Sequence, residues 1–137
     1  TDPTDPDVLY QIPEDGPEFR CVSGGRLRVF RSTTGGDEWT SVSEGLPRAH
    51  AYVTVLREAL DIDARDPRCL YLGTSGGHLF ASTGGAGRWH LIADFLPRIL
   101  SVKAHAVDRA GGGTISLASA ADRPSAGDAG AQGEPGP

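Results

Sequence analysis

Six residues in the first half of the chain carry side chains suited to gripping an acidic ligand: Arg20, Arg48, His50, Tyr52, Arg57 and Glu58. A guanidinium forks onto a carboxylate through two parallel N–H donors, and Tyr or His adds single hydrogen bonds beside it. With Glu18 on the same stretch, the mixture suits an acidic sugar or a peptide carboxylate. The plainer reading of the loop residues is a solvated rim, and of Arg57 with Glu58 a structural ion pair. Asp61 and Asp63 stand two apart and share one face of a strand. Paired carboxylates can do acid–base work or hold a cation, but just ahead of Asp66-Pro67 they read better as part of a turn. His50, His78, His90 and His105 fall in separate segments without ligand spacing, so no metal site is expected. Cys21 and Cys69 form no CxxC pair and are read as two small thiols, with a single disulfide as the alternative. No catalytic constellation and no cofactor motif emerges.

The elements that position these residues must be short and rich in turns. The chain has 137 residues, 19 Gly and 10 Pro, with 38% hydrophobic residues. That suits one all-β domain with a modest core. A net charge of −5 argues against a basic nucleic-acid surface. No run approaches 18 apolar residues, so no membrane span is expected.

The strongest signal is an internal repeat. Phe30-Arg31-Ser32-Thr33-Thr34-Gly35-Gly36-Asp37-Glu38-Trp39, then Leu46-Pro47, returns as Phe80-Ala81-Ser82-Thr83-Gly84-Gly85-Ala86-Gly87-Arg88-Trp89, then Leu96-Pro97. The shift is about 50 residues, the size of one propeller blade. Upstream, Asp5-Pro6-Asp7-Val8-Leu9-Tyr10 matches Asp66-Pro67-Arg68-Cys69-Leu70-Tyr71 at a larger offset. The excess is an insertion in the first copy, expected as an extended loop over Gln11 to Gly25. Strands are expected at Leu9–Ile12, Leu27–Arg31, Trp39–Val42 and Ala51–Ile62, the last with a helical turn near Glu58. A second set is expected at Leu70–Gly73, Leu79–Ser82, Trp89–Ile92 and Ile99–Val107. The Gly35-Gly36, Gly76-Gly77 and Gly84-Gly85 pairs read as hairpin turns, not phosphate loops. Chain direction alternates along such a meander, so the Gln11–Gly25 and Ser43–His50 loops should leave the same end and form one rim.

The skeleton Ser32, Thr34, Gly36, Trp39 resembles the Asp box of BNR-repeat propellers, Ser-x-Asp-x-Gly-x-x-Trp, and Ser82 with Trp89 repeats it. The chain is similar over residues 1–107 to bacterial exo-α-sialidase-like, sortilin-like and photosystem-assembly-factor-like propellers. The resemblance implies a fragment of about two four-stranded antiparallel blades, whose remaining blades lie elsewhere in a parent chain. It implies a Ser that braces a hairpin turn and a Trp that packs between blades. The box Asp is Thr34 in one copy and Gly84 in the other, and Ala86 replaces the second box Gly. A Thr hydroxyl can bond the turn backbone weakly; Gly84 has nothing to bond with. The Asp box itself is structural, so the expected function is a non-catalytic scaffold that presents loops to a protein or glycan ligand. The alternative is part of a sialidase-like glycoside hydrolase whose catalytic residues lie mainly in other blades. Residues 108–137 are dominated by Gly, Ala, Pro and Ser and are expected to be a disordered tail, save for a short strand at Thr114–Leu117.

Overall fold

The computed structural model of the chain describes residues 1–107 apart from 17 and 19; the expected tail and the Thr114–Leu117 strand lie outside the described residues. Among the described residues the fold is all-β, without α-helix, and every strand pairing is antiparallel.

Nine strands form three sheets among these described residues. The first is a meander of β1 (Leu9–Gln11), β4 (Phe30–Ser32) and β5 (Thr40–Ser41). The insertion is not a plain extended loop. It closes on itself as a hairpin of β2 (Glu14–Asp15) and β3 (Cys21–Val22), followed by a 3-10 turn at Ser23–Gly25. The largest sheet is a four-stranded meander of β6 (Leu60–Ile62), β7 (Cys69–Gly73), β8 (Leu79–Thr83) and β9 (Trp89–Ala93). Its register sets Leu72 against Phe80 and Ser82 against Trp89.

The 51–62 stretch splits as its composition suggests. Arg57–Ala59 is a 3-10 turn and only Leu60–Ile62 joins the sheet, while Val53 and Thr54 make separate backbone bonds to Val22 and Ser75. The expected strand at Ile99–Val107 does not form. Its backbone N–H groups are spent one at a time on distant partners: Ile99 on the Thr74 carbonyl, Val102 on the Glu58 carbonyl and Ala104 on the Asp61 carboxylate. Without a continuous neighbour there is no ladder, whatever the β-propensity.

The core lies between the first and the four-stranded sheet. Val22, Leu27, Val29 and Leu46 meet Leu70, Leu72, Phe80 and Trp89 there, all buried. Repeat-related positions carry the same local bonds. Gly35 N–H donates to the Asp7 carbonyl and Gly85 N–H to the Arg68 carbonyl; Asp2 N–H donates to the Val8 carbonyl and Asp63 N–H to the Cys69 carbonyl. Asp63 is thus a turn residue, its buried carboxylate accepting the Arg65 and Cys69 N–H groups. Asp2 does the same for Thr4 and Asp5.

Candidate functional site

The two box-like turns are the first test of the residue assignments. Ser32 Oγ accepts the Thr34 and Gly36 N–H groups at 3.2 and 2.9 Å. Thr34 Oγ1 accepts the Glu38 N–H at 2.9 Å, so a hydroxyl fills the place of the box carboxylate. In the second turn Ser82 Oγ is buried and has no partner. Gly87 N–H bonds the Thr83 carbonyl instead, and Ala86 is held at a φ of 73°, a conformation costly for any residue with a Cβ. The tryptophans differ as much. Trp89 is 1% exposed and its indole N–H donates to the Val42 carbonyl of the first sheet at 2.7 Å. Trp39 is 38% exposed, and its indole bonds only the Gly36 carbonyl of its own turn.

The six candidate ligand-binding residues are not brought to one place. Arg20, Arg57 and Glu58 line a groove of about 570 Å³ with Glu14 and Leu100. There both carboxylates are engaged: Glu14 accepts the Val55 N–H at 3.0 Å, and Glu58 pairs with Lys103 at 3.5 Å, while Arg20 and Arg57 make no ion pair among the described residues. The expected Arg57–Glu58 pair is replaced by this Lys103–Glu58 pair. His50 and Tyr52 lie 6.4 Å apart between ring centroids, tilted at 53° to each other, on another part of the surface, with His50 at a φ of 56° and the Tyr52 ring against Gly25. His50 also edges a narrow hollow of about 180 Å³ toward His78 and Phe80.

Arg48 lies in a second groove, also of about 570 Å³, with Arg26, Arg28, Ser41, Ser43 and Glu44. The elements responsible are the extended lead into β4, which carries Arg26 and Arg28 on either side of buried Leu27, and the loop after β5. Leu27 N–H bonds the Pro47 carbonyl and Val29 N–H bonds Ser43 Oγ, so the loop is laced to the lead and Arg48 is drawn beside the other two arginines. Among the described residues none of the three arginines makes an ion pair. Glu44, the groove's one carboxylate, pairs with Arg88 at 3.3 Å. Arg28 lies over the Phe30 ring at 5.7 Å, and its buried Nε has no hydrogen-bond partner. The groove therefore holds three unpaired arginines beside one carboxylate already paired elsewhere, and one of the three is steadied by an aromatic face. Arg26 and Arg28 went unremarked in the sequence because their convergence with Arg48 needs the strand-to-loop lacing. The alternation Arg26-Leu27-Arg28 was the available signal, since it puts both guanidiniums on the face opposite the core.

Nucleophilic chemistry has little support at the cysteines. Both thiols are free and half-buried. Burial, and then the Asp63 carboxylate, push the Cys69 thiol up and away from the thiolate that would react. Among the described residues no group of three or more His, Cys, Asp or Glu could hold a metal ion. No protein-family model and no curated protein matches this chain.

Proposed function

We propose that this chain is a binding scaffold of the Asp-box propeller type that captures an acidic ligand in the Arg26–Arg28–Arg48 groove. The carrying observation is the convergence of three guanidiniums without protein counter-ions on one groove. Arginine there can offer paired N–H donors to a carboxylate, sulfate or phosphate group, each charge-assisted bond contributing about 1.5–3 kcal/mol. The groove's other functional groups are Ser41, Ser43 and the paired Glu44, a set suited to holding a ligand and not to cleaving it. The propeller reading draws support from the repeat. Two consecutive antiparallel meanders carry matching turn bonds at matching positions, and the tryptophan of one turn seats in the preceding sheet. On that reading the natural partners are the other blades of a larger assembly, with a glycan or a protein as ligand.

The test is calorimetric titration with paired neutral and acidic oligosaccharides and a carboxylate-terminated peptide. Acidic ligands should bind and neutral ones should not, and Arg48→Ala or Arg26→Ala should weaken binding by about tenfold, the equivalent of 1.4 kcal/mol. Equal binding of neutral and acidic sugars, or affinity indifferent to both substitutions, would rule the groove out.

A further inference from the structure

The seam between the two sheets shows how one such sheet receives the next. Trp89 N–H donates to the Glu44 carbonyl at 2.8 Å and its indole to the Val42 carbonyl at 2.7 Å, while Leu46 is buried beneath. Gly45 makes this approach possible. It sits at a φ of 89°, and a Cβ there would stand 2.2 Å from the Trp89 carbonyl oxygen. Arg88 and Glu44 add an ion pair across the same seam at 3.3 Å.

The repeat predicts a copy of this seat on the far side of the molecule. Val42, Glu44 and Leu46 correspond to Ile92, Asp94 and Leu96, and Ile92 and Leu96 are exposed. At the other flank Trp39, the counterpart of Trp89, is likewise only partly covered. One free knob and one free seat on opposite flanks is the arrangement that joins copies head to tail into rings or open filaments. The position corresponding to Gly45, however, is Phe95. It holds the same left-handed backbone, with a φ of 54°, and its side chain is 95% exposed. The charges are mismatched as well: Arg88 and Glu44 correspond to Glu38 and Asp94, both exposed and both acidic.

We propose that Phe95 closes the second seat, so that copies of this chain do not join head to tail, and that the Trp39 flank is built for a different sheet. This rests on the repeat reading above. The fitting partner is an antiparallel sheet whose outer strand runs into a Val-x-Glu-Gly-Leu turn like that of Val42–Leu46, with glycine where this chain has Phe95. A like-charged Glu38–Asp94 contact adds a weaker, salt-screened barrier to self-docking.

The probe for that partner is the full chain itself with the seat reopened, followed by sedimentation velocity over a concentration series at low salt and at about 0.5 M salt, where the Debye length is about 4 Å. Phe95→Gly should self-associate at least about tenfold more tightly than the unaltered chain, more so at high salt, with a blue shift of Trp39 emission. Removing an exposed phenylalanine would ordinarily reduce association, so the direction is diagnostic. Phe95→Asn tolerates the backbone but keeps a Cβ, and should stay as dissociated as the parent. Adding Trp39→Ala or Trp39→Arg to Phe95→Gly should abolish the gain. Phe95 is so exposed that both single replacements should fold, which circular dichroism checks. The proposal is overturned if Phe95→Gly associates no more tightly than the parent, if Phe95→Asn matches it, or if the gain survives loss of Trp39. A dissociated Phe95→Gly chain would leave the acidic-ligand groove untouched, because no groove residue is altered.

Discussion

Repeat-equivalent residues need not be energetically equivalent, and the two tryptophans put this to a direct test. Trp89 is buried in the seam, and its indole caps the Val42 carbonyl. Truncating it to Ala removes the ring, leaves a cavity between the sheets and strands that carbonyl. Core Trp-to-Ala changes cost about 3–5 kcal/mol, and an orphaned buried acceptor adds about 1–3 kcal/mol where water cannot reach it. Trp39 is 38% exposed and bonds only its own turn, so the same truncation should cost about 1–2 kcal/mol. A domain of this size has a total stability of about 5–15 kcal/mol, so the first change is severe and the second tolerable. Urea unfolding followed by far-ultraviolet circular dichroism gives both values, with Trp89→Phe as a milder variant that keeps an aromatic ring but loses the hydrogen bond. The expected order of midpoints is parent, Trp39→Ala, Trp89→Phe, Trp89→Ala. If Trp39→Ala proves as damaging as Trp89→Ala, the seam does not organise the core as described.

The two box serines should also diverge. Ser32→Ala strands the Thr34 and Gly36 N–H groups and should cost about 1–2 kcal/mol, whereas Ser82→Ala removes a buried hydroxyl without a partner and should be neutral or stabilising by denaturant midpoint. Asp2 sets a pH window. Burial alone would raise its carboxyl, but the Thr4 N–H and hydroxyl, the Arg68 guanidinium and the Asp5 N–H outweigh that and hold it below its ordinary 3.8. A carboxyl depressed on folding stabilises the fold above its unfolded pKa, and that contribution is lost as pH falls through the folded value. The melting temperature of the parent should therefore fall more steeply than that of Asp2→Asn once the pH drops below about 4; parallel curves would show that the Asp2–Arg68 contact contributes nothing.

Much of this fold was legible because its repeat is carried by turn chemistry and not by hydrophobic pattern. The Gly-Gly pairs, the Asp-Pro turns and the two Trp/Leu-Pro landmarks fixed the order of strands β6 to β9 closely. Thr34 could be read as a substitute brace because a short hydroxyl at that place has one obvious backbone donor to meet. Other features depend on partners far along the chain. Ile99–Val107 has the composition of a strand, yet its neighbours are a loop, a 3-10 turn and a carboxylate. Arg20 and Arg48, read as members of one rim, end in separate grooves because the insertion folds into its own hairpin instead of reaching the Ser43–His50 loop. Whether a repeated Trp is buried depends on whether another sheet lies in front of it, and no local pattern reports that.

The seam through Trp89 also sets the order in which the chain can become a protein. The first sheet leaves the ribosome first, yet the residue that fastens it to its neighbour arrives 47 positions after its acceptor, Val42. At translation rates of about 5–20 residues per second, that is an interval of roughly 2–9 s during which Leu27, Val29 and Leu46 lack Trp89, one of the residues with which they share the core. Synthesis from the N-terminus therefore does not give folding from the N-terminus: the early sheet waits, exposed to chaperones, until the last strand of the second sheet has been made.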